Sequence, residues 1–260
     1  MAEPIDYKRL DAALRELLAC IPEGELSREG LSSRRAKRLA DEIREAIERL
    51  SELAQGIDTI RQPPLIFDPN HPEVVGRMVG ETMLKQPRNP LGEVPGFYGS
   101  GVYALYYKGD HPAYAPICGT EAPIYVGKAD PADTHAGSPE EQGPKLAGRL
   151  RDHAKSINAT ENLRIADFEC RYLVVTSGWQ KAAEDYLLAH FGPIWNQPIC
   201  TGFGKHGDAA DTRKNTRSEW DTLHPGRKWA TDKANKPNPK SPDEIIAEIL
   251  AYYHEHPPRE

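Results

Sequence analysis

Two short apolar runs, each with a tyrosine and a glycine, constrain the fold of this chain more than any other feature. The first, residues 101–107, begins Gly-Val-Tyr, and the second, residues 124–128, contains Tyr-Val-Gly-Lys. Aromatic and β-branched runs bounded by glycine or proline are typical of β-strands. We therefore predict two neighbouring strands that bring the phenols of Tyr103 and Tyr125 close together. Taken alone, such tyrosines are most often core or cross-strand packing residues.

Hydrophobic periodicity predicts the elements around these two strands. Helices are predicted over residues 5–19, 33–54, 72–84, 145–157 and 179–191, with a third strand over 168–175 and a final helix entered at Ser241. From residue 101 onward the order is strand, strand, helix, strand, helix. This order predicts an α/β (α+β) fold, a small sheet with flanking helices.

Clusters of proline and glycine suggest three regions. Loop-forming residues accumulate over 87–96, which predicts a boundary near residue 95. We expect an N-terminal helical region over 1–95, a core over 96–200, and a loop-rich segment with the final helix over 201–260.

Net charge limits the classes of function. The 260 residues carry a formal charge of −6, which argues against a protein that coats nucleic acid, because sequence-independent binding depends on Lys and Arg. Basic residues are nevertheless concentrated over 145–155 and 201–240, so a DNA enzyme with local positive charge remains open. Four scattered cysteines lack zinc-ligand spacing, and we see no signal peptide or membrane span. A cytoplasmic protein with reduced thiols is expected.

Six polar residues on these elements follow one another in a specific order. They are Tyr103, Tyr125, Arg149, His153, Glu184 and Asn196. With residues 101–103 as the first triplet and 125–127 as the second, this part of the chain resembles the GIY-YIG nuclease superfamily. The resemblance covers roughly residues 99–200 and implies a helix-borne arginine at Arg149 and a metal-binding glutamate at Glu184.

A narrower likeness extends beyond the core. His153 lies one turn after Arg149, and residues 218–227 read Ser-Glu-Trp-Asp-Thr-Leu-His-Pro-Gly-Arg, followed by Trp229 and Ala230. These features look like the type II restriction endonucleases of the superfamily that cut CCGCGG. The resemblance implies double-stranded DNA as substrate, Mg²⁺ as cofactor and a cognate DNA methyltransferase in the same system. The loop over 108–122 is longer than in simpler members.

Phosphodiester hydrolysis requires an activated water, which suggests roles for four side chains. A phenol is a poor base at its usual pKa of about 10, so it needs assistance. We predict that Tyr103 is the general base, with His153 and the Tyr125 hydroxyl as relays. Lys128 is expected to lower the phenol pKa or to bind phosphate.

The phosphate and the leaving oxygen require positive charge. Arg149 is predicted to clamp the scissile phosphate in bidentate fashion. Glu184 is predicted to hold one Mg²⁺, because a lone carboxylate suits one metal better than two. Asn196 is expected to brace the site or touch phosphate. Individually, each of these residues is more commonly a surface or turn residue.

Sequence specificity would come from cations that read guanine in the groove. The candidates are Arg213, Lys214, Arg217, Arg227 and Lys228. Contact with phosphate or solvent is at least as common for any one of them.

A palindromic site predicts a homodimer, with the N-terminal helices at the dimer contact or around DNA. The alternatives are a repair or homing nuclease, or a catalytically silent DNA-binding or scaffold protein.

Overall fold

A computed structural model of the chain describes residues 6–21, 32–57, 66–176, 178–204, 216–228, 230 and 236–259. The contacts of the chain divide it into two units, Met1–Ile66 and Phe67–Glu260. Within the described segments, no helix combines the length and the apolar character needed to cross a bilayer. All four cysteines are free thiols.

Two amphipathic helices, α1 (Tyr7–Ala19) and α2 (Ser33–Ile57), belong to the first unit. The carboxylate of Asp6 caps α1, accepting a hydrogen bond from a backbone N–H of its first turn. Both predicted helices are confirmed, although α2 continues past Ala54. Apolar side chains on both helices are exposed to solvent, among them Leu14, Leu17, Leu18, Leu39, Ile43 and Ile47.

An antiparallel sheet forms the centre of the second unit. Its strands are β1 (Asn89–Pro90), β2 (Gly101–Tyr107), β3 (Tyr125–Ala129) and β4 (Phe168–Val174), in the spatial order β1-β4-β2-β3. The three predicted strands are confirmed. The sequence did not predict β1, because two residues have no periodicity and proline is tolerated only at a sheet edge.

Helices cover both faces of this sheet. The described helices of the unit are α3 (Pro72–Leu84), α4 (Pro139–Gln142), α5 (Lys145–Asn158), α6 (Gln180–Phe191), α7 (Glu219–Leu223) and α8 (Pro242–Glu255). Apolar residues of α5 and α8 pack with Tyr103 on one face, and those of α3 and α6 pack with Val102 on the other. Because both faces are covered, every residue of β2 is buried. The α/β class is thereby confirmed.

Part of the C-terminal segment that the sequence analysis interpreted as loop is packed into the core. The Ser218 side chain caps α7, and Trp220 and Leu223 within that helix are buried in the same cluster as Tyr103. A five-residue helix is too short for its periodicity to be recognised in sequence. The predicted cap of the final helix is present, since Ser241 forms a capping box with Glu244.

Candidate active site

Tyr103 lies at the centre of the sheet, where β2 pairs with β3 on one side and β4 on the other. Its partner on β3 is Gly127, the glycine of the second triplet. A Cβ atom at position 127 would lie 2.5 Å from the Tyr103 hydroxyl oxygen. The Tyr103 ring therefore packs directly over Gly127, and only glycine leaves room for it.

The side chain of His153 approaches Tyr103 from helix α5. The Tyr103 hydroxyl lies 2.5 Å from Nε2 of His153, and both side chains are fully buried. Helical spacing places His153 on the same side of α5 as Arg149, one turn earlier. The predicted tyrosine–histidine pair is thus within hydrogen-bond distance.

Burial raises the pKa of Tyr103 well above its usual value. The nearby Tyr125 hydroxyl raises it further, and the guanidinium of Arg149 opposes both effects. The Tyr103 phenol is therefore protonated at neutral pH, and a free phenolate base is disfavoured. A proton can leave Tyr103 only if another group accepts it, and Nε2 of His153 is a nitrogen base within hydrogen-bond distance of the hydroxyl.

The second phenol, Tyr125, completes an aromatic cluster. Its ring centroid lies 6.2 Å from that of Tyr103 and 5.1 Å from that of His153. Burial raises the pKa of Tyr125, while Arg149 lowers it and Glu184 raises it. The Tyr125 hydroxyl therefore lies within the electric field of both the predicted phosphate-binding cation and the predicted metal ligand.

Arg149 is half-buried on α5, with its guanidinium near both phenols. Its Nη2 donates a hydrogen bond of 3.5 Å to the carbonyl oxygen of Gly204. That length is at the weak end of hydrogen-bond geometry. The guanidinium thus makes only a weak contact with this backbone carbonyl.

Glu184 is half-buried on α6 and lies near Lys128 and Asp130. Burial raises the pKa of its carboxyl group, and the ammonium of Lys128 opposes this shift. Lys128 forms an ion pair with Asp130. The structure therefore places Lys128 beside the carboxylate of Glu184. A carboxylate whose ionised form is disfavoured gains from an added cation.

Asn196 braces the edge strand. Its Oδ1 accepts a hydrogen bond from the Val126 N–H, and its Nδ2 donates to the Val126 carbonyl, both at 2.9 Å. This two-bond pairing ties Asn196 to the strand that carries Tyr125. Of the two predicted uses of Asn196, bracing agrees with this geometry.

The predicted DNA-reading cations have different environments. Arg213 and Lys214 lie outside the described residues. Lys228 is exposed, and Arg217 is half-buried beside the Lys236 backbone, to which its N–H donates a bond of 3.0 Å.

Arg227 does not agree with the prediction that it contacts DNA. Its side chain is only 2% exposed, and its Nε donates a 2.7 Å bond to Asp221. The same guanidinium lies over the Trp220 ring and donates to two backbone carbonyls. Partners this complete make Arg227 a structural residue, which the sequence could not show because the pairing depends on tertiary folding.

Sequence reasoning also missed Phe203. Its ring is fully buried and stacks on His153, with centroids 4.7 Å apart and planes 19° apart. A phenylalanine between two glycines, Gly202 and Gly204, carries no chemical group that suggests a site. The two flanking glycines predict a loop, and only the fold shows where the Phe203 ring lies.

The site geometry agrees with comparisons to known proteins. A family model described as the Eco29kI GIY-YIG domain matches residues 95–253, more than half of the chain. Compared one by one with curated proteins, the chain has no significant match. The family match contains both triplets and each predicted catalytic residue, and it confirms the resemblance inferred from sequence. The chain belongs to the Eco29kI GIY-YIG family, a family of restriction endonucleases.

Proposed function

We propose that this protein is a type II restriction endonuclease that cleaves double-stranded DNA at the palindrome CCGCGG, with one Mg²⁺ per active site. The hydrogen-bonded pair of Tyr103 and His153, beside the guanidinium of Arg149, is the observation that carries the proposal. A proton relay and a phosphate-binding cation in one place meet two requirements of phosphodiester hydrolysis. Family membership supports a restriction-type nuclease. The recognition sequence depends on the sequence resemblance alone.

In the proposed mechanism Tyr103 acts as a relay. Because burial keeps the phenol protonated, Tyr103 takes the proton of the attacking water as it passes its own proton to Nε2 of His153. Proton transfer by positioned side chains contributes about 10²–10⁴-fold to a rate. The Tyr125 hydroxyl orients the water from the neighbouring strand.

Arg149 holds the scissile phosphate. Its planar guanidinium can donate two parallel hydrogen bonds to phosphate oxygens. The bond that it makes to the Gly204 carbonyl is long, 3.5 Å, so turning toward a phosphate gives up little of that backbone contact. Charge on the phosphate develops as water attacks, and the guanidinium stabilises it.

The residues present fit a magnesium site completed by the substrate. Mg²⁺ is usually held by one or two carboxylates together with water and phosphate oxygens. Glu184 is one such carboxylate, and its burial favours binding of a cation. When bound, Mg²⁺ supplies Lewis-acid stabilisation of the leaving 3′ oxygen. Lys128, beside Glu184, is the second cation that we assign to phosphate binding.

Recognition and assembly are part of the same proposal. A palindromic site is matched by a two-fold symmetric homodimer. The exposed apolar faces of α1 and α2 support a dimer contact there. Of the described candidates, Lys228 and Arg217 are proposed to contact DNA, together with Arg213 and Lys214. A cognate methyltransferase would protect cytoplasmic host DNA.

Plasmid cleavage tests the proposal directly. Two matched supercoiled plasmids, one with a single CCGCGG site and one with none, are incubated with the purified protein in Mg²⁺ and in EDTA. We expect a linear product with uniform ends only from the first plasmid and only in Mg²⁺. Sequencing the ends gives the cut position. A smear or isolated nicks would contradict a restriction enzyme.

Two variants on one helix supply the control. Glu184→Ala is expected to abolish cleavage while DNA binding, measured with a labelled duplex, survives. Asp185→Ala removes the adjacent exposed carboxylate, which pairs with Lys181, and should cleave like the unmodified protein. Wild-type protein that binds the duplex without cleaving it would identify a catalytically silent DNA-binding protein instead.

A further inference from the structure

We infer that residues 202–204 complete the active site and that Phe203 is a positioning residue for His153. The inference rests on the proposed function. It concerns a segment that lies beyond the six predicted catalytic residues in the chain and carries no acid, base or cation. Its contacts, however, reach three of those six residues, His153, Tyr125 and Arg149.

The ring of Phe203 forms one wall of the histidine site. It stacks on the His153 imidazole at 4.7 Å with planes 19° apart, and it meets Tyr125 edge-on at 5.0 Å. Tyr103 lies against the same imidazole, with ring centroids 5.3 Å apart. The imidazole therefore has Phe203 as well as the two phenols to fix its plane.

Phe203 is itself held from behind. Trp195 lies 4.3 Å from its ring centroid, and Trp220 lies 5.2 Å away. Close packing of three buried aromatic rings leaves little freedom for rotation. The orientation of the His153 ring is thus linked to a core that extends into α7.

The backbone of the segment is anchored by Arg227. Its Nη1 donates to the Phe203 carbonyl at 3.2 Å, and its Nη2 donates to the Gly202 carbonyl at 3.0 Å. The Asp221 carboxylate holds the opposite side of the guanidinium at 2.7 Å. A rigid guanidinium fork suits this task better than a flexible ammonium. Arg227 thereby contributes to the active site through the chain that it holds.

Gly204 lies against the side chains of Tyr125 and Arg149. A Cβ at this position would come within 2.5 Å of the Tyr125 hydroxyl oxygen. The Gly204 carbonyl accepts the bond from Arg149. The segment therefore contacts three of the predicted catalytic side chains, those of His153, Tyr125 and Arg149.

Orientation of the imidazole determines whether Nε2 can accept the Tyr103 proton. The two atoms are 2.5 Å apart in the folded protein. Misplacement of a reacting group by about 1 Å can slow a reaction about 10²-fold. Without a flat ring behind it, the imidazole can rotate about its χ2 angle, and Nε2 then loses the Tyr103 hydroxyl.

Phe203→Leu removes the flat ring while keeping an apolar side chain, and Phe168→Leu is its matched control. Phe168 is equally buried, belongs to the same cluster and also contacts Trp195, but it packs against Tyr107. We expect Phe203→Leu to lower the single-turnover cleavage rate about 10–100-fold, the range for a misplaced catalytic group, with DNA affinity unchanged. Phe168→Leu should leave the rate within about threefold, since it only loosens packing.

A double-mutant cycle separates positioning from general stability. In a His153→Ala background, Phe203→Leu should have no further effect on the rate, because the group that it positions is absent. Equal losses in both backgrounds, or equal losses from Phe203→Leu and Phe168→Leu, would overturn the inference.

Nuclear magnetic resonance tests the stack without relying on cleavage. The ring protons of His153, assigned by their absence in His153→Ala, should show a ring-current shift to which the stacked Phe203 contributes and which therefore decreases in Phe203→Leu. An unchanged shift would refute the stack even in an active enzyme. Failure of the unmodified protein to cleave any DNA, with the shift present, would refute the proposed function and leave the stack established.

Discussion

Two buried tyrosine–histidine pairs occur in the part of the chain that the structure describes, and they differ in their surroundings. The Tyr103 hydroxyl lies 2.5 Å from Nε2 of His153, and the Tyr114 hydroxyl lies 2.6 Å from Nε2 of His224. All four side chains are fully buried. By distance and burial alone the pairs are equivalent, so these properties do not distinguish a catalytic pair from a structural one.

The second pair, Tyr114 and His224, is called the closed pair here because its polar side-chain atoms are hydrogen-bonded to neutral groups of the protein. Asn162 Nδ2 donates to the Leu223 carbonyl, so Asn162 Oδ1 accepts from His224 Nδ1 at 2.9 Å. His224 Nε2 must then be the acceptor for the Tyr114 O–H, and the Tyr114 oxygen accepts from Trp195 at 2.9 Å. Burial holds the pKa of Tyr114 well above, and that of His224 well below, the usual values. Both groups remain neutral, with one proton on Nδ1 of His224 and one on the Tyr114 oxygen.

The first pair faces charged groups. Arg149 lies close enough to lower the pKa of Tyr103, and Glu184 lies close enough to raise that of Tyr125. Under the proposed function, the half-buried cation would bind phosphate and the half-buried carboxylate would bind a metal ion beside this pair. The neighbours of a tyrosine–histidine pair, rather than the pair itself, therefore indicate whether it takes part in catalysis.

The two pairs should differ most when each tyrosine hydroxyl is removed. Tyr103→Phe deletes the relay, and we expect a loss of about 10³-fold or more in single-turnover cleavage, within the range for general acid–base groups. Tyr114→Phe deletes a hydroxyl that only stabilises. It leaves the indole N–H of Trp195 and Nε2 of His224 without the hydroxyl that they contact, which should lower the free energy of unfolding by about 1–3 kcal/mol.

Both the cleavage rate and the stability of the two variants are measured. Cleavage is followed by quenched-flow assay below the melting temperature of each variant, and stability is followed by urea unfolding. Equal cleavage losses from Tyr103→Phe and Tyr114→Phe would show that the closed pair also takes part in the reaction.

Arg149 provides the next largest effect. Arg149→Met removes a donor aimed at the developing charge, which should slow cleavage about 10²–10³-fold. Arg149→Lys keeps the charge without the bidentate fork and should recover only part of the rate. Arg164→Met, which removes an exposed arginine that pairs with the half-buried Asp167, serves as the control. A lysine variant with full activity would contradict bidentate phosphate binding.

Much of the fold, and the grouping of several candidate catalytic residues, could be predicted from the sequence. The apolar runs of β2 and β3 and the spacing of Arg149 and His153 are local features, and local spacing determines which residues share a helix face. Asn196 was predicted without its exact partner, because pairing with the Val126 backbone depends on how the chain returns to the sheet edge.

Other parts could not be predicted, because they depend on contacts between distant segments. Phe203 carries no chemical signal, and its role appears only where it stacks on His153. Arg227 was predicted to read DNA because it lies in a basic stretch, but a buried carboxylate and two carbonyls take up its guanidinium. The pairing of Tyr114 with His224 joins residues 110 positions apart, which no periodicity reveals.

The closed pair should give stability a specific pH dependence. His224 is neutral in the folded protein because burial, and the charges of His111 and Arg227, lower its pKa. The unfolded chain protonates histidine below about pH 6.5, so protons favour unfolding there. Stability should fall as pH decreases through this range, by up to about 1.4 kcal/mol per pH unit from this one group.

Comparison with His224→Gln isolates this contribution. The variant lacks the titrating group, so its unfolding free energy, measured by urea titration from pH 7 to pH 5, should fall less steeply than that of the wild type. Parallel slopes would show that His224 is already protonated in the folded state. That result would remove the basis for treating the pair as neutral.

Glu184 should give the smallest effect and the clearest sign of an open site. Burial raises the pKa of its carboxyl group, so ionised Glu184 destabilises the folded protein above about pH 4.5, where the unfolded carboxyl is ionised. Glu184→Gln removes that charge and should raise the melting temperature at pH 7 without metal by about 1–3 °C, the shift for less than 1 kcal/mol in a protein of this size. The gain should vanish near pH 4.

Addition of Mg²⁺ should stabilise the wild type but not the variant, because a ligand that binds only the folded state raises its melting temperature. A variant less stable than the wild type in EDTA would mean that Glu184 is a structural residue, as the closed pair is.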